Sequence, residues 1–438
     1  MAEQVSKLLL FPLTAEVSEQ GHLIIGGCDT VELAAEFGTP LYLFDEPSLR
    51  SKCAEFKAEF GQRYADTTII YACKAFINKA LLLLIMEEEL GLDTVSGGEI
   101  GIARSVNFPM DRISFPGNNK SAEEFALALE WGVGRIVVDN FHELKMLGEM
   151  AKEKDCIPDI LLRISPGVDP HTHRYITTGS LDSKFGFPMV DGEKAVATTM
   201  SMPELNLMGL HSHIGSQIAE TESYQQAIEL ILDFAAEMKQ KHGFELEEMS
   251  VGGGFAIQYT LDSPVPPISA YAEVIASNIV NKCQELGMAL PRLVIEPGRS
   301  IVGRAGVALY KVGAIKDIPD IRRYVSIDGG MGDNIRPALY QAKLEAVVAN
   351  KMMEKEAEKV TIAGKFCESG DILIRDISLP SLLANDIIAV PGCGAYCLPE
   401  AMNYNASFKP AVVMVKEGKA RLIRRRETLE DLTRCDLV

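Results

Sequence analysis

Apolar and polar positions follow two regimes along this chain. In the first, short β-prone apolar runs fall at residues 68–73, 91–95, 112–115, 135–138, 160–164, 207–211, 248–251 and 292–295. Longer stretches with apolar residues every three or four positions lie between them, at 77–90, 121–131, 141–152, 224–241 and 268–286. A period of two or an unbroken apolar run marks a strand, and a period near 3.6 marks a helix packed on one face. Eight strand-then-helix units are what a (β/α)8 TIM-type barrel requires, whereas an open doubly wound sheet more often has fewer strands.

The second regime begins near Arg299, where helical periodicity fades. Short strand signals separated by turns appear at 306–311, 324–327, 344–348, 360–363, 371–375, 387–390 and 411–415, which predicts a mostly β C-terminal domain. Before the barrel, a strand signal at 22–25, a helix at 30–36, the stop Gly38-Thr-Pro40 and a strand at 41–44 complete the pattern. The expected division is therefore 1–40 as a strand and helix joining the β domain, 41–298 as the barrel, and 299–438 as the β domain.

Composition narrows the function. A formal net charge of -18 lacks the basic footprint of a nucleic-acid binder or a protein of anionic membrane surfaces. Nine cysteines without paired spacing indicate neither a disulfide framework nor a zinc site, so no metal is expected and a reducing, cytoplasmic setting is. The N-terminus has no cleavable signal pattern, and the longest apolar run, 80–86, is too short to span a bilayer.

In a (β/α)8 barrel, chemistry gathers where strands end. The first run ends at Lys74, the sixth at His211-Ser-His213-Ile-Gly-Ser216, the seventh at Gly252-Gly-Gly254 and the eighth at Glu296-Pro-Gly-Arg299. Each residue alone has a plain reading: a solvated lysine, a tight glycine turn, a core histidine, a local Glu296 and Arg299 ion pair. Together they form a set. Glycine turns after the seventh and eighth strands let backbone N–H groups approach a phosphate, and Ser216 adds a hydroxyl. A lysine, a phosphate site and a carboxylate at one barrel mouth suggest pyridoxal 5'-phosphate, with Lys74 attached to it, Glu296 at its ring nitrogen and His213 stacked on the ring.

Further motifs extend the pattern. Tyr71-Ala-Cys-Lys74, Asp93-Thr-Val-Ser-Gly-Gly-Glu99, His211-Ser-His-Ile-Gly-Ser-Gln217, Gly252-Gly-Gly254, Glu296-Pro-Gly-Arg299, Cys367-Glu-Ser-Gly-Asp371 and Gly394-Ala-Tyr396 with Tyr404-Asn405 occur in this order. In this order they resemble the diaminopimelate decarboxylase family, pyridoxal-phosphate enzymes of the alanine racemase-like fold type III, over nearly the whole chain. The resemblance implies that Lys74 is the Schiff-base lysine and Cys367 the proton donor. It implies His213, Ser216, Gly253, Gly254, Glu296, Gly298, Arg299 and Tyr396 as cofactor contacts. Arg299, Arg336, Tyr340, Glu368 and Tyr396 would contact substrate. It also implies a homodimer in which Cys367 and Glu368 serve the partner subunit's site. Lys365, Ala256 and the run Cys397-Leu-Pro-Glu400 depart from the family pattern.

The expected reaction is decarboxylation of meso-2,6-diaminopimelate to L-lysine and CO2, the last step of lysine biosynthesis. The distal end of that substrate carries a carboxylate for Arg299 and Arg336 and an ammonium for Glu368. A decarboxylase of another basic amino acid or of carboxynorspermidine on the same fold is the alternative, but such a substrate would leave one arginine unpaired. A racemase would need a second base, and an inactive binding homologue would have lost Lys74 or Cys367.

Overall fold

The computed structural model describes residues 3–168 and 183–437. They divide into two compact units, Cys53–Ala256 with Val265–Gly298, and Met1–Lys52 with Ile257–Pro264 and Arg299–Val438.

The first unit is a closed barrel of eight parallel strands. In chain order these are Thr67–Ala72, Gly91–Asp93, Ile113–Phe115, Arg135–Val138, Asp159–Ser165, Asn206–His211, Glu248–Ser250 and Arg292–Ile295. Arg292–Ile295 pairs with Thr67–Ala72, and Arg135–Val138 pairs with Asp159–Ser165, so no edge is left open. Every run expected from the apolar pattern is one of these strands. The helices form where their signals lie. Ser121 and Glu124 make a reciprocal capping box before Ala122–Trp131, Asn140 caps Phe141–Glu153, and left-handed Gly243 and Gly287 end Glu222–His242 and Ile268–Leu286. In Phe141–Glu153 the buried Leu144, Leu147, Gly148 and Ala151 fall three or four apart, the stripe that a barrel helix lays on the strands.

The second unit is built on a nine-stranded mixed sheet. Leu41–Asp45 lies inside it, antiparallel to Gly306–Ile318 on one side and parallel to Ala411–Lys416 on the other. All five of its residues are buried, which is why it reads as an unbroken apolar run rather than an alternation. Leu41 and Leu43 join Val307, Leu309, Val347, Ala389 and Val413 in one core, while the Tyr42 hydroxyl points the other way and donates to the Asp333 backbone oxygen at 2.9 Å. Leu23–Ile25 pairs with Glu16–Val17 and Cys28–Asp29 in a small separate sheet of this unit. Among the described residues, no helix is long and apolar enough to cross a membrane.

Candidate active site

Lys74 lies in the single 3-10 turn Cys73–Ala75 directly after the first barrel strand. Its Nζ is 3.8 Å from Asp93 Oδ2, the carboxylate that ends the second strand. Asp93 is 1% exposed along its side chain, and neither of its oxygens accepts a hydrogen bond among the described residues. Burial raises its pKa to about 6, with the Lys74 ammonium pulling against that rise.

Glu296 follows the eighth strand and is held on the same rim. Ser250 Oγ donates to its Oε1 at 2.7 Å, and His211 Nε2 lies 3.0 Å from the same oxygen. Burial works against an anion here. The His211 imidazole and the Ser250 hydroxyl outweigh it and hold the Glu296 carboxyl well below the usual carboxylate range. The opposite ring atom, His211 Nδ1, is buried without a hydrogen-bond partner among the described residues.

His213 accepts a hydrogen bond on Nδ1 from the Gly253 N–H at 3.2 Å. Burial, followed by the charge of Lys74, keeps the ring neutral by pushing its pKa well below the usual value. A neutral ring with Nδ1 engaged offers a flat face.

The glycine turn beside it is there for space. A Cβ on Gly253 would meet the Glu296 backbone oxygen at 2.2 Å, and Gly254 holds φ +100° with the Gly215 carbonyl 2.6 Å from where its Cβ would stand. The turn is supported from below. Tyr224 OH donates to Gly253 O at 2.7 Å, Tyr271 OH donates to Ile218 O at 2.6 Å, and the Ile218 N–H donates to Gly254 O at 2.9 Å, which ties the half-buried Ser216 loop to the turn. Gly298 sits after the eighth strand, where the Ala72 N–H donates to Pro297 O at 3.1 Å.

The second unit gathers the remaining candidates in two places. Arg299 Nη1 donates to Tyr259 OH at 2.7 Å, and its guanidinium lies 4.5 Å from the centre of the Tyr396 ring. Tyr396 adopts φ +59°, a conformation non-glycine residues seldom take. Arg336, 6% exposed, stacks 4.4 Å from the centre of the Tyr259 ring, and its buried Nη1 has no hydrogen-bond partner among the described residues. Tyr340 OH donates to Glu400 Oε1 at 3.2 Å. The second place is exposed: the Cys367 N–H donates to Asn405 Oδ1 at 3.0 Å and Tyr404 OH donates to Glu368 Oε1 at 2.7 Å.

Sequence reasoning assigned no role to Asp93, His211, Ser250, Tyr259 or Arg163. Arg163, buried in Asp159–Ser165 with Nη1 4.0 Å from Asp139 Oδ1, has a signal in hindsight, a charge in the middle of an apolar strand.

A family model described as the pyridoxal binding domain of pyridoxal-dependent decarboxylases matches residues 46–303. Over 426 residues the chain is 46% identical to the diaminopimelate decarboxylase of Bacillus subtilis (strain 168), covering 97% of each. The chain belongs to the diaminopimelate decarboxylase family. The diaminopimelate decarboxylase of Synechocystis sp. (strain ATCC 27184 / PCC 6803 / Kazusa) is 41% identical over 98% of this chain and 92% of its own length. Among solved structures, a diaminopimelate decarboxylase from M. jannaschii in co-complex with L-lysine matches with TM-score 0.91 and 36% identity, over 97% of this chain and 98% of that one.

Members of the diaminopimelate decarboxylase family are carboxy-lyases that use pyridoxal 5'-phosphate, and the barrel rim of this chain fits that cofactor. The turn packs so closely against the Glu296 and Gly215 backbone oxygens that only glycine fits at 253 and 254, and a glycine turn of this kind at a barrel mouth suits a phosphate. Glu296 is a buried carboxylate kept anionic, which suits a ring nitrogen that must keep its proton.

Proposed function

We propose that this protein decarboxylates meso-2,6-diaminopimelate to L-lysine and CO2, the last step of lysine biosynthesis. The observation that carries the choice of substrate is Arg336, a buried guanidinium with one nitrogen that has no hydrogen-bond partner among the described residues. A diacid offers that nitrogen a second carboxylate. Lysine or ornithine has none, and would leave the donor orphaned at a cost of about 1–3 kcal/mol.

Pyridoxal 5'-phosphate, when bound, supplies a ring that accepts the electron pair left behind as the carboxylate departs. Lys74 Nζ is proposed to hold it covalently, with the Asp93 carboxylate keeping that amine in place. Glu296 holds a proton at the ring nitrogen, and His213 covers one ring face. Ser216, Gly253, Gly254, Gly298, Arg299 and Tyr396 bind the phosphate. Arg299, Arg336, Tyr340, Glu368 and Tyr396 contact substrate. Cys367 returns a proton to the α-carbon, a step for which an exposed thiol is accessible.

We further propose a homodimer in which Cys367 and Glu368 act in the partner subunit's site. Their exposure supports this reading. Mixing the inactive Lys74→Ala protein with the slowed Cys367→Ala protein should raise activity through hybrid dimers; no recovery would mean each site is built from one chain. We also propose a reducing, cytoplasmic location, a reading supported by nine cysteines without paired spacing in the sequence.

The test is release of CO2 and L-lysine from meso-diaminopimelate with added pyridoxal phosphate, run beside L-lysine, L-ornithine and carboxynorspermidine. Turnover of diaminopimelate alone is expected. Turnover of only another substrate would overturn the reading of Arg336 while leaving the family in place.

A further inference from the structure

Cys367 lies in the loop 364–371, which joins the antiparallel strands Glu358–Ala363 and Ile372–Leu379. Hairpin loops usually have about 2–5 residues, and a longer exposed one keeps a single shape only if its backbone is held. Lys365 and residues 367–370 are exposed, so burial does not hold this loop. One buried side chain does. Asp371, 4% exposed, accepts the Phe366 N–H on Oδ2 at 2.9 Å and the Met331 N–H on Oδ1 at 2.6 Å. Its backbone closes the loop as well: the Gly364 N–H donates to Asp371 O at 2.9 Å, and the Asp371 N–H donates to Glu368 O at 3.1 Å. The fit leaves no slack. A Cβ on Gly364 would stand 2.1 Å from Asp371 Oδ2, and one on Gly330 would stand 2.5 Å from Oδ1.

The far side of this grip is fixed to the core sheet. Met331 belongs to the turn 328–332, whose Gly330 N–H donates to Asp333 Oδ1 at 3.0 Å. Asp333 Oδ2 takes the hydroxyls of Tyr310 at 2.6 Å and Tyr42 at 3.1 Å, which stand on Gly306–Ile318 and Leu41–Asp45. Hydrogen bonds therefore run from two buried strands through Asp333, the glycine turn and Asp371 to the amide just before Cys367. The Cys367 N–H itself goes to Asn405 Oδ1, so two successive amides are pinned. We propose that Asp371 is the positioning residue of Cys367. Both of its oxygens are spent on backbone N–H groups, and it acts by holding the loop that presents the thiol. A proton donor must stand within hydrogen-bond reach of the atom it serves, so the right thiol on a loose loop would deliver slowly. This deepens the function proposed above and rests on its assignment of Cys367.

The experiment places Asp371→Asn in the wild-type holoenzyme and in the Cys367→Ala holoenzyme. Asn keeps the shape but turns an N–H donor toward one of the two backbone N–H groups. Gly364→Ala is the second variant: it keeps the carboxylate and displaces it, and it carries the same test if Asp371→Asn does not fold. Two quantities are measured: amide hydrogen exchange across 364–367, and kcat on meso-diaminopimelate at saturating substrate. Exchange across 364–367 should quicken by at least about tenfold while barrel amides keep their wild-type rates. In the wild-type background kcat should fall by about 10- to 100-fold, up to the whole contribution of a positioned proton donor. In the Cys367→Ala background the same substitution should change kcat by less than about threefold, because the group it positions is already gone. Unchanged exchange across 364–367, or an equal loss of kcat in both backgrounds as a merely structural residue would give, overturns the assignment of Asp371. A Cys367→Ala enzyme with wild-type kcat overturns the donor role of Cys367 in the proposed function, and this inference with it, whatever the exchange rates show.

Discussion

Glu296→Gln separates the charge of the rim carboxylate from its shape. In the folded protein that carboxylate is engaged by Ser250 at 2.7 Å and His211 at 3.0 Å. A hydrogen bond to a charged group contributes about 1.5–3 kcal/mol and a neutral one about 0.5–1.5, so two downgraded bonds cost about 2–3 kcal/mol. Relief of the buried charge returns part of that, leaving a net loss of about 1–2 kcal/mol in a urea titration. The catalytic loss should be larger. A carboxylate at a typical charge-assisted distance of about 2.8 Å attracts a proton-bearing nitrogen by about 6 kcal/mol at an effective dielectric of about 20. Taking about 3 to 6 kcal/mol as the amount forfeited, kcat for CO2 release should drop by about 10² to 10⁴. Cofactor content, read from its visible absorbance, should stay near one per chain. The sign of the pH effect follows from the depressed pKa. The ion's contribution to stability is complete above the unfolded value near 4.3 and is lost as pH falls through the folded one, so the stability gap to the variant should be flat from pH 5 to 8 and close below about pH 4. A variant with full cofactor and kcat within about threefold of wild type would refute the role of Glu296.

Asp93→Asn tests a carboxyl shifted the other way. With a folded pKa of about 6 against an unfolded value near 3.8, ionising Asp93 costs the fold up to about 3 kcal/mol as pH rises from 4 to 6, so the variant should gain that much on wild type by pH 7 while losing turnover as Lys74 loses its anion; a pH-independent stability difference would contradict this. Lys120→Met removes an ammonium that donates to Gly117 O, Val137 O and Glu143 Oε2 at 2.8, 2.7 and 2.8 Å. Because both ends of the pair are 1% exposed, the single variant should lose about 3–5 kcal/mol in chemical denaturation; a loss under about 1 kcal/mol would mean the pair is not a buried charge couple. Cys367→Ala should keep the bound cofactor's spectrum and slow turnover by about 10² or more, the usual contribution of a positioned proton donor; unchanged kcat would move that role to another group.

The barrel was legible because most positions of its strands are buried and its long helices, such as Phe141–Glu153, Glu222–His242 and Ile268–Leu286, carry a buried stripe, so burial and period agree along these segments. Where they part company, the sequence misleads. Lys419–Arg424 pairs with Ala411–Lys416 at the sheet's edge, but its residues are exposed or half-buried and Lys419, Arg421 and Arg424 interrupt its apolar positions, so no buried face announces it. Gly306–Ile318 continues well past its apolar first half, because Lys316 to Ile318 are held by pairing with Arg322–Ile327 rather than by burial. The site divides in the same way. Lys74, His213 and Glu296 were visible because a charged or ring-bearing residue just past an apolar run is conspicuous. Ser250 and His211 end strands too, but as positions inside the runs 248–251 and 207–211 they look like ordinary interior residues. Their function is to hold Glu296, and that depends on a distance between two strands rather than on a neighbour in sequence.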